Sequence, residues 1–290
     1  MYIIYKESGY RFIHRDGCNN NNFNTYLSGL FEGDGHIIIS KKDNNYKNVE
    51  IAITFHEKDL NLCEHIKNKL GYGWIRMKKK EHACVLIFYT DKGIIKFVET
   101  VNGYLRTPKL YKFNLIIDYL NDKYSFNITK YDPDYSDLGN NNWLSGFIDA
   151  DGSFQIRYSG PNAKKLRINC ELRIEQRIID PFSSLSYKRI FELIAKFFNR
   201  KLEITKHNVN KEYYMVITSN KNSLRIVLDY LNKYKLYSIK YLDYLNWVQA
   251  SNLLLEGKAY LPENKKLIYN LKNSMNNKRT VFIWTHLRNL

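Results

Sequence analysis

Apolar and polar residues alternate strictly over 49–55, where Val49, Ile51, Ile53 and Phe55 interleave with Glu50, Ala52 and Thr54. That period of two predicts a strand with one face on a core and the other in solvent. The short β-branched run 36–40 predicts a partner strand, joined to the first through the polar turn 41–45. The spacing then becomes helical over 58–70, with Leu60, Cys63, Ile66 and Leu70 on one face and Gly71 as the stop. Stretches 74–79 and 83–89 predict a hairpin around Lys80-Glu81-His82, followed by helices over about 91–101 and 109–121. An apolar helix over roughly 24–34, with Asn24 or Thr25 as N-cap, opens this series. Residues 1–22, which end in Cys18 and four asparagines, read as a lead-in that contributes little core.

The same order of elements recurs after 132–142, a polar, turn-rich linker segment. A helix begins near Asn141, strands follow at 153–158 and 166–177, then a helix at 186–198. A hairpin at 201–206 and 212–218 leads to helices at 221–232 and 237–251, with one more helix at 263–276. The expected fold is therefore α+β. It has two pseudo-symmetric αββαββα halves, each a four-stranded antiparallel sheet with helices on one face. The expected layout is a lead-in 1–22, halves 23–122 and 141–262, a linker 123–140 and an extension 263–290.

Such sheets leave one face for a ligand, and alternation gives its chemistry. Arg167, Asn169, Glu171 and Arg173 oppose Leu166, Ile168, Cys170, Leu172 and Ile174, while Gln155 and Arg157 oppose Phe154, Ile156 and Tyr158. Arg76, Lys78 and Lys80 alternate with Ile75 and Met77. A solvated sheet face is also charged, but several strands rich in Arg, Lys, Asn and Gln suit phosphates and base edges.

The two opening helices carry a repeated stretch, Leu27-Ser-Gly-Leu-Phe-Glu-Gly-Asp-Gly35 and Leu144-Ser-Gly-Phe-Ile-Asp-Ala-Asp-Gly152. Each follows an aromatic residue, Tyr26 or Trp143. Gly29 with Gly33, and Gly146 with Ala150, make flat stripes on which helix backbones can approach. The closing glycines suit a left-handed helix stop. An acid just before such a stop opposes the macrodipole at about 0.3–1 kcal/mol. Packing the stripes would bring Asp34 and Asp151 together, and two such carboxylates call for a proton or a cation between them. Oxygen-seeking Mg²⁺ meets that need and suits phosphoryl chemistry. A calcium loop is excluded, because its sixth and twelfth positions counted from Asp149 hold Phe154 and Gly160. A buried structural helix with an incidental acidic end is the plainer alternative.

Both stretches resemble the motif of the LAGLIDADG homing endonucleases, in the two-motif, single-chain form encoded by group I introns. The resemblance implies that Asp34 and Asp151 bind metal, with Gly33 and Ala150 beside them, and that Glu32 and Asp149 are not the usual ligands. It implies Mg²⁺ as cofactor, with Mn²⁺ as a substitute and Ca²⁺ bound without cleavage. Leu105-Arg-Thr-Pro-Lys109 resembles a family segment that would bring Lys109 to the scissile phosphate. Lys240 is its counterpart without the Thr-Pro-Lys pattern, and Gln176 resembles a residue that orients solvent, its first-half equivalent falling near Phe55-His56. DNA contacts are expected from Ser40, Lys42, Arg76, Lys78, Lys80, Gln155, Arg157, Arg167, Asn169, Arg173 and Lys201. The implied activity is double-strand cleavage by a monomer at a long, non-palindromic site. The rival readings are an RNA maturase for the host intron and a catalytically inert DNA-binding protein.

Charge strengthens the nucleic-acid reading. Lys plus Arg number 45 against 29 acids, a net charge of +16, which favours a polyanion ahead of a membrane surface. No apolar run approaches the roughly eighteen residues of a membrane span. Cys18, Cys63, Cys84 and Cys170 are scattered and read as reduced thiols, and the histidines lack zinc-site spacing. The opening residues lack the pattern of an import or secretory signal. With a composition rich in Lys, Asn, Ile, Tyr and Phe, this suggests a mitochondrial intron product made where it acts.

Overall fold

Apolar positions 3.6 residues apart build α1 (Asn22–Asp34), which runs directly into β3 (Gly35–Lys42) and β4 (Asn45–His56). Before it, β1 (Ile3–Lys6) and β2 (Gly9–Phe12) pair as an antiparallel hairpin inside the segment expected to be a plain lead-in. The structure, a computed structural model, describes residues 3–6, 9–12, 22–42, 45–159, 166–207 and 211–290. Cys18 lies outside them.

The first half continues through α2 (Leu60–Leu70), β5 (Trp74–Lys78), β6 (Ala83–Phe88), α3 (Asp91–Val101) and α4 (Lys109–Tyr124). The second runs through α5 (Trp143–Asp151), β7 (Gly152–Tyr158), β8 (Ile168–Arg177), α6 (Lys188–Phe197), β9 (Glu203–His207) and β10 (Lys211–Thr218). It ends with α7 (Lys221–Lys233), α8 (Lys240–Leu255) and α9 (Pro262–Asn273). Each half holds one antiparallel four-stranded sheet, in the order β3-β4-β6-β5 or β7-β8-β10-β9. The αββαββα expectation is met, and the registers are equivalent: Gly35 faces Ile53 as Gly152 faces Ile174.

Two compact units form, Met1–Ala150 with Ile179–Ser186, and Asp151–Ile178 with Tyr187–Leu290. The second motif helix thus packs with the first unit as far as Ala150. Phe31 meets Phe97 and Phe113 edge-on in the first core, while Phe154 meets Trp247 in the second. Local signals set the element ends. Gly71, at φ 73°, stops α2 and donates to Lys67 O at 2.9 Å. Thr90 and Asn220 accept the third helical N–H of α3 and α7.

Several local expectations are corrected. α1 begins at Asn22, so neither Asn24 nor Thr25 is its N-cap. Thr25 Oγ1 instead accepts from Asn142 N at 3.2 Å, tying the entrance of α5 to α1. Gly35 and Gly152 are not left-handed. A Cβ on Gly35 would fall 2.1 Å from the Phe31 ring, so close packing is what requires glycine there. Lys80 sits in the turn Lys79–Glu81 rather than on β5, and Arg167 precedes β8.

The small-residue stripes do pack. A Cβ on Gly29 would lie 1.9 Å from Trp143 O and 2.8 Å from Phe147 N. One on Gly146 would lie 2.0 Å from Tyr26 O and 2.9 Å from Leu30 N. Both obstacles are main chain and cannot rotate away. Gly29→Ala and Gly146→Ala should each lower stability by about 3 kcal/mol, the upper end for overpacking. Gly71→Ala, which meets open space, should cost only about 1–2 kcal/mol through its left-handed φ. Urea denaturation of the three variants checks the order, and an unperturbed Gly29→Ala would contradict the close approach.

Candidate functional site

The contact of α1 with α5 carries two side chains across it. Trp143, which leads the second motif, donates Nε1–H to Glu32 Oε2 at 2.7 Å. Tyr26, which leads the first, donates its hydroxyl to Asp149 Oδ2 at 2.7 Å. Each motif's aromatic residue thus satisfies the sixth-position acid of the other. Glu32 is fully buried and also accepts from the Arg106 and Thr107 amides, at 2.8 and 2.6 Å, and from Thr107 Oγ1 at 2.6 Å. Burial pushes its carboxyl above the usual range, while the donors from Thr107, Arg106 and Trp143 pull the other way.

Arg106 and Thr107 belong to the loop that enters α4, so Glu32 positions the loop. Arg106 extends the arrangement: its guanidinium lies 5.4 Å from the Trp143 ring and bonds Ser136 O and Asp134 Oδ2 at 2.6 and 2.9 Å. The 132–142 linker is therefore pinned to the first core. Sequence reasoning missed Arg106, and it left Tyr26, Trp143, Glu32 and Asp149 without a role. The signal was present in the repetition of an aromatic before each motif and an acid at its sixth position.

At the end of the loop Lys109 turns its ammonium onto the last carbonyls of α1. It donates to Phe31 O at 3.0 Å, Gly33 O at 3.2 Å and Gly35 O at 2.6 Å. A cation there offsets the negative end of the macrodipole, which the terminal acid Asp34 otherwise aggravates. Asp34 is half-buried, and Lys109, predicted near the scissile phosphate, stands beside that helix end. Partial burial lowers the His36 pKa, and the charges of Lys109, Lys78 and Lys112 lower it further.

In the second unit Asp151, also half-buried, accepts from Gln176 Nε2 at 2.8 Å. Gln176 is the penultimate residue of β8, on its core-facing side. By register its first-half equivalent is Phe55, buried and apolar, so the two halves differ at this position. Lys240 begins α8 as Lys109 begins α4, its amide donating to Ser238 Oγ at 3.1 Å.

The outward sheet faces carry most of the remaining expected residues. Arg76 and Lys78 project from β5, across from buried Val85 and Ala83, and Lys78 pairs with Glu81 at 3.0 Å. Ser40 is exposed beyond a bulge in β3, and Lys42 ends that strand. In the second sheet Arg157 pairs with Glu171 at 2.8 Å, and Asn169 donates to the same carboxylate at 2.9 Å. Arg173 pairs with Glu175 at 2.5 Å, and His207 also engages Glu175. Gln155 is half-exposed, whereas Arg167 and Lys201 are exposed outside the strands.

The donors at the two helix ends suit a hard cation: carboxylates at Asp34 and Asp151, and a main-chain carbonyl at Gly33 that already attracts an ammonium. No cluster of three His, Cys, Asp or Glu exists among the described residues. The remaining coordination would thus fall to water and phosphate oxygens, the usual habit of Mg²⁺.

A sequence profile described as LAGLIDADG endonuclease matches residues 27–120 and 144–251. The chain belongs to the LAGLIDADG endonuclease family. Among its LAGLIDADG relatives, the intron-encoded DNA endonuclease aI3 of Saccharomyces cerevisiae is 32% identical over 91% of this chain and 72% of its own length. An uncharacterized cox1 intron-2 protein of Schizosaccharomyces pombe is 30% identical over 84% and 70%. The homing endonuclease I-SmaMI, solved bound to cleaved DNA, shares the fold with a TM-score of 0.69, 18% identity, and coverage of 89% and 98%. The family match places the cross-motif bonds of Glu32 and Asp149 within the LAGLIDADG motifs themselves. Glu32→Ala should cost about 3 kcal/mol, the upper end for leaving buried donors without their acceptor. Trp143→Phe, which removes one donor, should cost about 1–3 kcal/mol. Thermal and urea unfolding check both, and a Glu32→Ala variant of undiminished stability would overturn the assignment.

Proposed function

We propose that this protein is a site-specific, metal-dependent endonuclease of double-stranded DNA that initiates intron homing. The observation that carries the reading is the acid ending each motif helix, Asp34 on α1 and Asp151 on α5, in a chain of this family. Asp34, Asp151 and the carbonyls of Gly33 and Ala150 would hold divalent metal, Mg²⁺ in the cell. When bound, that metal supplies a stronger nucleophile from water and stabilises the leaving oxygen in phosphodiester hydrolysis. Lys109 and Lys240, each opening the helix that follows the αββαββα unit of its half, carry positive charge toward the scissile phosphates. Gln176 orients the carboxylate of Asp151 and adjacent solvent.

The two sheets read DNA in the major groove, through Arg76 and Lys78 in one half and Gln155, Arg157, Asn169 and Arg173 in the other. Ser40, Lys42, Lys80, Arg167 and Lys201 supply backbone contacts around them. Glu171 and Glu175 hold the second-half arginines and so fix which base edges they meet. Unlike side chains select unlike half-sites, so a monomer on a non-palindromic target follows. The relatives named as intron-encoded proteins support an organellar, mitochondrial origin.

A second activity, RNA maturase, is favoured by the likeness to the intron-encoded RNA maturase bI4 of Saccharomyces cerevisiae. That protein is 33% identical over 60% of this chain and 23% of its own length. The deciding assay is cleavage of the intronless exon junction in Mg²⁺. Asp34→Asn and Asp151→Asn should each abolish double-strand cutting yet keep binding in Ca²⁺, and chelation should stop the wild type. Full cutting by either variant would refute the assignment of the acids. Splicing assistance that survives both substitutions would establish the maturase activity separately.

A further inference from the structure

Residues 262–290 lie outside both stretches matched to the family, yet α9 is built firmly onto the second sheet. Ile268, Leu271 and Met275 are buried, and Tyr269 meets Tyr158 edge-on at 5.6 Å. Lys272 Nζ donates to Tyr158 O at 3.3 Å, and Asn276 Nδ2 to Phe154 O at 3.2 Å, so the helix and the turn after it run along the edge strand β7. Arg279 fastens that turn to α8 through Asp243 at 2.8 Å. Between α9 and β7 lies an open groove of about 570 Å³, lined by Gln155, Arg157, Arg167, Lys272, Asn276 and Lys278 among others.

Its charged lining residues are all cations: Arg157 on β7, Arg167 just before β8, and two from the extension. Glu171, across from Gln155 on β8, is already engaged by Arg157. Beside the β3–β4 edge of the first sheet the chemistry is opposite. The cavity there, about 1110 Å³, is lined by Glu50, Asp91, Asp122 and Lys123 with Tyr46 and Tyr119. Asp91 in it accepts from Tyr119 at 2.5 Å, Lys123 at 2.7 Å and Tyr124. A polyanion would be drawn more strongly to the groove beside β7 than to this acidic cavity.

We propose that α9 and the turn after it form the outer wall of a phosphate-binding groove, which grips the backbone of duplex DNA beyond the bases read by the second sheet. Lys272 and Lys278 are its anchors, facing Arg157 and Arg167 across the groove. The groove reads no sequence; it lengthens the footprint on one side only. This inference rests on the DNA endonuclease reading.

The test is binding of the full-length Lys272→Ala/Lys278→Ala variant to duplex DNA without divalent metal, by fluorescence anisotropy across a salt series. The slope of log affinity against log salt should flatten by about 0.9 for each lysine, with roughly fivefold weaker binding per lysine near 0.15 M salt. The loss should be equal on cognate and scrambled duplexes. Lys272→Arg/Lys278→Arg should restore the slope, which separates lost charge from lost packing of α9. An unchanged slope in a variant that still binds, or an arginine pair that fails to restore it, would overturn the groove assignment. A wild-type protein that does not bind duplex DNA would instead refute the endonuclease reading and the groove with it.

Discussion

The structure depends on a backbone-to-backbone approach between two helices that share one motif. Gly29 and Gly146 leave no room for even a methyl group, and each faces a main-chain carbonyl of the other helix. Such proximity forfeits side-chain packing at the crossing, so cohesion must come from its flanks. The flanks supply Trp143 on Glu32 and Tyr26 on Asp149, hydrogen bonds formed where little water can compete. Because α5 as far as Ala150 belongs to the first unit, this contact is also where the second half of the chain begins.

The arrangement divides labour between the two acids of each motif. Glu32 and Asp149 are buried and accept from several donors or from the opposite aromatic residue. Asp34 and Asp151 end their helices half-buried, with Lys109 on the carbonyls beside one and Gln176 on the carboxylate of the other. Each motif thus keeps one acid inside the helix contact and one half-exposed at its helix end. The same loop serves both tasks: Arg106 and Thr107 bond Glu32, and three residues on from Arg106 comes Lys109. A disturbance at the buried carboxylate is therefore transmitted to the charged end of α1.

Much of this architecture was legible in the sequence. Alternation over 49–55 and 166–177, and helical spacing over 58–70, depend on local periodicity, which the folded chain keeps. Nucleic acid as the ligand was legible in the charge, and the acids that end the two motif helices in the doubled motif. What escaped were features made by contacts distant in sequence. Arg106 was given no role beside Lys109, because its partners Asp134 and Ser136 lie in the stretch taken for a linker. Lys80 fell out of the expected alternation because the chain turns after Lys78. Gly35 and Gly152 suggested left-handed stops, whereas Gly35 is fixed by the ring of Phe31. No local pattern distinguishes a glycine needed for its φ from one needed for its missing side chain.

The claim that bonds between the motifs hold the helix pair together is tested most directly by a double-mutant cycle on the second of them. Tyr26→Phe, Asp149→Asn and the double variant would be compared with the wild type by urea denaturation. The account predicts a coupling of about 1–3 kcal/mol, as expected for directly bonded buried groups. Additive losses, with a coupling below about 0.3 kcal/mol, would mean that Tyr26 and Asp149 stabilise the protein independently and that the helix pair is held by something else.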